Sequence, residues 1–158
     1  VGDLSFRDAR GEDVPALVSV INAAYRVEEF FVAGPRTSSA EIEGMLRSGG
    51  FLLAEAEDGP VAGCVYVGRR GERGYFGLLS VDPALQGRGL GRRLVAAAEA
   101  RLRDEGHREV EILVVDVRTE LLPFYEGLGY RRVGEEPFSE GYELRMPCRF
   151  VVMRKALG

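Results

Sequence analysis

The chain has 158 residues, 46% of them hydrophobic and 29% charged, a length and balance that predict one domain with a sizeable core. A net charge of -4 and a pI near 5.2 set the whole-molecule field against nucleic acid and anionic membranes, and no apolar run approaches the roughly 20 residues of a membrane span. Cys64 and Cys148 are far apart, and His107 is the only histidine, so zinc ribbons, redox pairs and histidine-rich metal sites are not expected.

In chain order, "LSFRDAR" (residues 4–10) alternates as a strand does, and "VPALVSVINAAY" (14–25) carries apolar residues at helical spacing. The Gly34-Pro35 break leads to "TSSAEIEGMLRS", where Ser38 or Ser39 caps a second short helix. "FLLAEAE", "VAGCVYVGRR" and "GYFGLLSV" follow, joined by "DGP" and "GERG". Turns this short cannot carry a parallel crossover, so an antiparallel meander is expected. Leu90, Leu94, Ala97, Ala98 and Leu102 then mark a helix of about four turns, with Gly106 placed to end it and His107 in the turn beyond. "VEILVVDV" reads as a buried strand that can pair in parallel with the meander across that helix. "ELLPFYEGLG" is a short helix with Pro123 near its first turn and Gly129 as its stop, and "YRRVGEEPF" and "CRFVVMRK" close the sheet. The expectation is a single-domain α/β (α+β type) protein over residues 1–158, with a mixed central sheet of about seven strands and four helices. The opening residues lack the basic flank and apolar stretch of a signal peptide, so a cytoplasmic protein is expected.

The segment "DPALQGRGLGRRL" (82–94) concentrates the chemical signal. It has no lysine, which excludes the phosphate loop of the GxxxxGK type. Gly87, Gly89 and Gly91 are spaced GxGxG after a meander, unlike the GxGxxG of a dinucleotide fold. A strand ending at Val81 and a helix starting near Gly89 still converge unpaired N–H groups at a helix's positive end, with Arg88, Arg92 and Arg93 adding charge. Each dipole contact is worth only about 0.3 to 1 kcal/mol, so several must act together on a diphosphate.

Gln86, Gly89 and Gly91 spell QxxGxG between "LSVDP" and an apolar helix, and "FYEGLGY" (124–130) lies downstream. Together these resemble the acetyl-CoA binding motif and the FYxxLGF signature of the GNAT superfamily of acyl-CoA N-acyltransferases. The order of strands and helices extends the resemblance over nearly the whole chain.

The resemblance implies acetyl-CoA as co-substrate, no metal, and transfer of its acetyl group by direct attack of a primary amine on a small molecule or peptide. It implies that Leu79, Ser80 and Val81 offer strand-edge backbone groups to the pantetheine arm, that the backbone of Gly87, Arg88, Gly89, Leu90, Gly91 and Arg92 receives the pyrophosphate, and that Gln86, which opens the motif, belongs to the same cofactor-binding set. Tyr125 matches the tyrosine that protonates the leaving sulfur. Arg118 stands where the family often has an asparagine against the cofactor arm, and arginine donates but does not accept, so it either replaces that contact or reaches a phosphate or substrate carboxylate. The glutamate some relatives use as a base is matched in position by Leu113. Glu111 and Asp116 lie nearby without matching, and Glu28 and Glu29 are alternative carboxylates, so the base stays unassigned.

The acceptor is expected against "AYRVEEFFVAGPRTS" and the 135–148 connection, with Tyr25, Glu28, Glu29 and Arg36 as substrate-binding residues. Their mixed charges fit an amino acid or another small zwitterion. The resemblance also implies a homodimer. A non-catalytic module that only senses acyl-CoA is the alternative, and nucleic-acid or membrane partners are not expected.

Overall fold

A computed structural model describes residues 3–56 and 59–158. Its sheet has seven strands: β1 (Leu4–Asp8), β2 (Gly50–Ala56), β3 (Val61–Arg70), β4 (Arg73–Val81), β5 (Glu109–Val115), β6 (Arg131–Pro137) and β7 (Arg149–Ala156), in the spatial order β1-β2-β3-β4-β5-β7-β6. Four α-helices accompany it: α1 (Val14–Ala24), α2 (Ser39–Ser48), α3 (Leu90–Asp104) and α4 (Leu121–Gly127). The mixed sheet and the helix count are those expected from sequence. The meander β2-β3-β4 is antiparallel, and β4 and β5 are parallel across α3, as a crossover helix allows. The β3–β4 turn is tighter than the "GERG" boundaries suggest, since Arg70 pairs directly with Arg73. The expected "DGP" turn includes Asp58, which lies outside the described residues.

The alternation of each strand divides the core. Leu52, Ala54, Val65, Val67 and Phe76 face α3, whose Leu94, Ala98 and Leu102 are fully buried against them. On the opposite face Phe51, Leu53, Cys64, Tyr66 and Leu78 meet Leu17 and Ile21 of α1 and Ile42 of α2. Ser38, not Ser39, caps α2, its hydroxyl accepting from the Glu41 N–H at 3.3 Å. Cys64 is a fully buried free thiol, pushed up to about 12 by desolvation, and Cys148 is a half-buried free thiol.

The sheet is split where the site lies. β4 and β5 pair only at Gly74 with Val110 and Tyr75 with Glu111, then diverge, although β4 continues to Val81 and β5 to Val115. The cause is a bulge in β4. Between the paired positions Tyr66/Gly77 and Cys64/Ser80, β3 spends one residue and β4 spends two. Leu78 in that bulge has φ +50, a left-handed conformation that costs a non-glycine residue of order 1–2 kcal/mol. Burial of its side chain offsets that cost and holds the bend.

Candidate active site

The bend leaves the β5-facing edge of β4 beyond Tyr75 without a strand partner, and two cavities meet at the notch. The first, of about 460 Å³, runs from the loop at 85–92 past Leu79 and Val81 to Arg118, Phe124 and Tyr125. The second, of about 130 Å³, lies between the diverging strands, with Glu28, Arg36, Tyr75 and Ser139 among its polar lining. Tyr25, Leu79, Leu121 and Tyr125 line both.

The loop entering α3 is built for close approach. Gly87 and Gly89 both have φ +80, and a Cβ at either would meet nothing within 4 Å, so the glycines are required by backbone conformation and not by crowding. Gly89 is the N-cap residue of α3 and has no side chain to occupy the first-turn N–H groups, which are therefore available to an anion. Gln86 is folded back, its Nε2 donating to the Val81 carbonyl at 3.3 Å, so it fixes the loop against the end of β4.

The three arginines separate in space. Arg92 lines the first cavity, Arg93 is exposed with its guanidinium 5.1 Å from the Phe6 ring, and Arg88, between two left-handed glycines, is exposed and lines neither cavity. Leu79 and Val81 line the cavity. Ser80 is buried on the other side of the strand, its hydroxyl donating to the Leu78 carbonyl at 2.8 Å, so only its backbone can serve a ligand. Leu90 and Gly91 complete the rim.

Tyr125 is placed by α4, whose Leu122 and Tyr125 face inward. Its ring packs edge-on against Phe124 at 5.0 Å and Tyr130 at 5.7 Å. The Tyr130 hydroxyl donates to buried Glu99 at 2.7 Å, and Lys155 Nζ donates to both oxygens of that carboxylate at 3.1 Å. Tyr130 occupies the last position of the FYxxLGF-like segment, usually phenylalanine, and its hydroxyl ties the end of α4 to α3 and β7. The Tyr125 hydroxyl makes no hydrogen bond among the described residues, and burial raises its pKa above the ordinary tyrosine value.

Arg118 leaves β5 toward α1. It donates from Nη1 to Glu28 at 3.3 Å and from Nη2 to Glu120 at 3.1 Å, and it lines the first cavity. It is therefore held as a charge partner of Glu28 and does not stand as a free amide-like contact. Glu28 is buried at the end of a 3-10 turn (Tyr25–Glu28), and desolvation raises its pKa despite the opposing pull of Arg118. Glu29, expected beside it, is exposed and lines neither cavity. Successive residues of a 3-10 turn are about 120° apart, so an inward Glu28 sends Glu29 outward.

Among the other carboxylates, Glu111 is locked by Arg70 at 2.6 Å and Arg154 at 2.8 Å, and Asp116 accepts from the Arg149 N–H at 3.0 Å, so both serve the sheet. Leu113 lines the second cavity as an apolar wall.

Phe138 and Ser139 from the β6–β7 connection reach the second cavity and were not singled out from sequence. Backbone bonds place them there: Arg145 N–H to the Phe31 carbonyl at 2.7 Å and Ala33 N–H to that of Glu143 at 2.9 Å stitch the connection to the α1–α2 loop.

The split sheet, the glycine loop before α3 and a tyrosine at the notch together define an acyltransferase architecture, and known proteins agree. A family model described as "Acetyltransferase (GNAT) domain" matches residues 19–157, so the chain belongs to the GNAT acetyltransferase family. Mycothiol acetyltransferases of Actinosynnema mirum and Cellulomonas flavigena are 29% and 31% identical to it over 129 and 139 residues, in each case 81% of this chain. Those alignments cover 43% and 40% of the relatives, so the chain spans less than half their length. An N-acetyltransferase from Staphylococcus aureus superposes with a TM-score of 0.80 at 16% identity, over 99% of this chain and 100% of that one. A GNAT superfamily phosphinothricin acetyltransferase from Sinorhizobium meliloti, in complex with AcCoA, gives 0.74 at 20% identity, over 98% of this chain and 89% of that one. At these identities the structural likeness speaks for the fold.

Proposed function

We propose that this chain transfers the acetyl group of acetyl-CoA to the primary amine of a small molecule or peptide by direct attack. The observation that carries the reading is the notch between β4 and β5, where a long cleft beginning at the N–H groups of the α3 entrance meets a small polar cavity at Tyr125. The donor site fits in composition and shape. First-turn N–H groups and Arg92 suit a pyrophosphate, the unpaired β4 edge at Leu79 and Val81 suits an amide-bearing arm by strand addition, and Phe124 and Leu121 give an apolar wall.

When bound, acetyl-CoA supplies an activated thioester at the notch. The chain's own groups then manage two protons. An acceptor ammonium with pKa about 10.4 is more than ~99.9% protonated at neutral pH, a deficit of about 4.6 kcal/mol that a base must offset. Glu28 is the carboxylate that lines the acceptor cavity, and its raised pKa brings it nearer the working pH of a general base. Tyr125, kept protonated by burial and with its hydroxyl uncommitted, is placed to give a proton to the departing sulfur. An acyl-CoA sensor has no need of a second polar cavity opening beside that hydroxyl, and this favours transfer.

A screen of primary amines with acetyl-CoA, followed by the appearance of free thiol and of N-acetylated product, tests the reading. Amine-dependent thiol release is the expected result. Tight acetyl-CoA binding with no amine-dependent release from any class would leave the sensor in its place.

A further inference from the structure

Seven arginines are half-buried among the described residues, and six of them hold a carboxylate. Arg7, Arg70, Arg73, Arg101, Arg118 and Arg154 each have an Asp or Glu oxygen within 3.1 Å. Arg36 is the exception: its guanidinium makes no ion pair among the described residues, yet it lines the acceptor cavity. The chain has fixed it with aromatic groups. The Tyr25 and Tyr142 rings each lie 5.4 Å from the guanidinium carbon. Nη1 donates to the Tyr142 hydroxyl at 2.7 Å, and that hydroxyl donates back to the Arg36 carbonyl at 3.1 Å. Asn22 clamps the next residue, accepting from the Thr37 N–H at 2.9 Å and donating to its carbonyl at 3.2 Å. A guanidinium has five N–H donors in one plane, and a single phenol occupies one of them.

An arginine held in place within a cavity, without an internal anion, is pre-organised for an external one. The same cavity presents Glu28, a buried carboxylate that feels the positive charge of Arg36. Between them the walls are apolar: Leu113, Val115, Phe138 and Phe150. The volume, about 130 Å³, admits a compact molecule and leaves no room for a long peptide.

We infer that the acceptor is a compact amino acid-like zwitterion, its carboxylate on the free edge of the Arg36 fork and its ammonium toward Glu28, with an apolar side chain against Leu113 and Phe150. The inference rests on the acetyl-transfer reading, whose cavity it interprets. Bidentate recognition of the carboxylate by Arg36 selects amino acids over the corresponding simple amines, because an amine lacking the carboxylate leaves the guanidinium without its partner in a partly desolvated site.

Matched pairs separate the possibilities: alanine and ethylamine, leucine and 3-methylbutylamine, phenylalanine and 2-phenylethylamine. Calorimetric binding to the full chain saturated with CoA is measured beside thiol release with acetyl-CoA. At least one amino acid should bind about 10-fold or more tightly than its decarboxylated partner, and Arg36→Met should reduce that ratio to near one. Arg36→Lys, which keeps the charge and loses the planar fork, should fall between them. Thermal melts show whether each variant is folded, and the wild-type ratio needs no variant. Amines that bind as well as their amino acids, no binding by any pair, or a ratio unchanged in folded Arg36→Met each overturn the inference. The preference without thiol release keeps the zwitterion site and removes acetyl transfer. Release with simple amines equal to that with amino acids keeps transfer and removes the zwitterion.

Discussion

Tyr125 and Glu28 are opposite in charge tendency but perturbed by the same cause. Desolvation raises both pKa values, leaving the phenol a firmer acid-form donor and the carboxylate a stronger base. Replacing Tyr125 with Phe removes one hydroxyl and keeps the edge-on packing against Phe124 and Tyr130. Turnover should fall about 100-fold while the affinity for acetyl-CoA changes by less than about 2-fold, in steady-state kinetics and direct titration. For Glu28 the sign is set by its protonation. A raised pKa means that the ionised form is lost as the pH falls through a value above the ordinary carboxylate of about 4.3. The acid limb of kcat/KM should therefore lie above that value. Glu28→Gln should abolish the limb and lower kcat by about 100-fold or more, and an unchanged profile would move the base elsewhere. The two residues differ in how far the sequence exposes them. Tyr125 was legible because FYEGLGY is a local pattern. Glu28 was one of several acids until a single 3-10 turn put it inside and Glu29 outside.

At the scale of elements, the junction of β4 with α3 carries most of the proposed donor site. Gly89 begins α3 with φ +80 and open space around its missing Cβ. Gly89→Ala should thus cost about 1–2 kcal/mol of stability from backbone strain alone. It should also raise the KM for acetyl-CoA more than that for the amine, as chemical denaturation and kinetics on both substrates would show. The meander, the crossover helix and the parallel return were all readable, because strand alternation, helical spacing and turn length are local properties. The bulge was not. "GYFGLLSV" contains nothing that marks Leu78 as left-handed, and the conformation arises only because β3 and β4 are forced out of step between Cys64 and Tyr66. Arg118 likewise stands out as a departure from the family's asparagine, but its pairing with Glu28 depends on the 3-10 turn after α1 approaching the segment that follows β5.

For the whole molecule, the sheet is held at its β1 edge by a polar clasp. Arg7 donates to both oxygens of Asp13 at 2.9 Å and to Glu55 at 2.8 Å, joining β1 to the start of α1 and to β2, while the Arg10 N–H reaches Asp13 at 2.7 Å. The Arg7 hydrogen bonds, with help from the Arg10 N–H, lower the Asp13 pKa to about 2 against the burial that opposes them. A depressed folded-state pKa stabilises the protein fully above the unfolded value of about 3.9 and loses that contribution as the pH falls toward about 2. Melts across pH 5 to 2, a range chosen about those two values, should show stability falling in that window. Asp13→Asn should be less stable by about 1–3 kcal/mol at neutral pH and flatter through the acid range. No helix among the described residues is long and apolar enough to cross a membrane. The acidic net charge makes the proposed donor site a local concentration of N–H groups and Arg92 within a field of the opposite sign.

Local chemistry determined by itself the order of elements, the glycine-rich entrance to α3 and the tyrosine at its distance downstream, since each depends on residues adjacent in the chain. Tertiary structure decided which side chains share the notch. It brought Glu28 and Arg36 from the α1–α2 loop, Leu113 from β5 and Phe138 from the β6–β7 connection around one small cavity, and Arg118 from beyond the end of β5 to the larger cavity beside it. That convergence depends on two long-range backbone events, the bend of β4 away from β5 and the pairing of the α1–α2 loop with the β6–β7 connection at Phe31 and Ala33. Both are consequences of packing and strand register, which no single segment encodes.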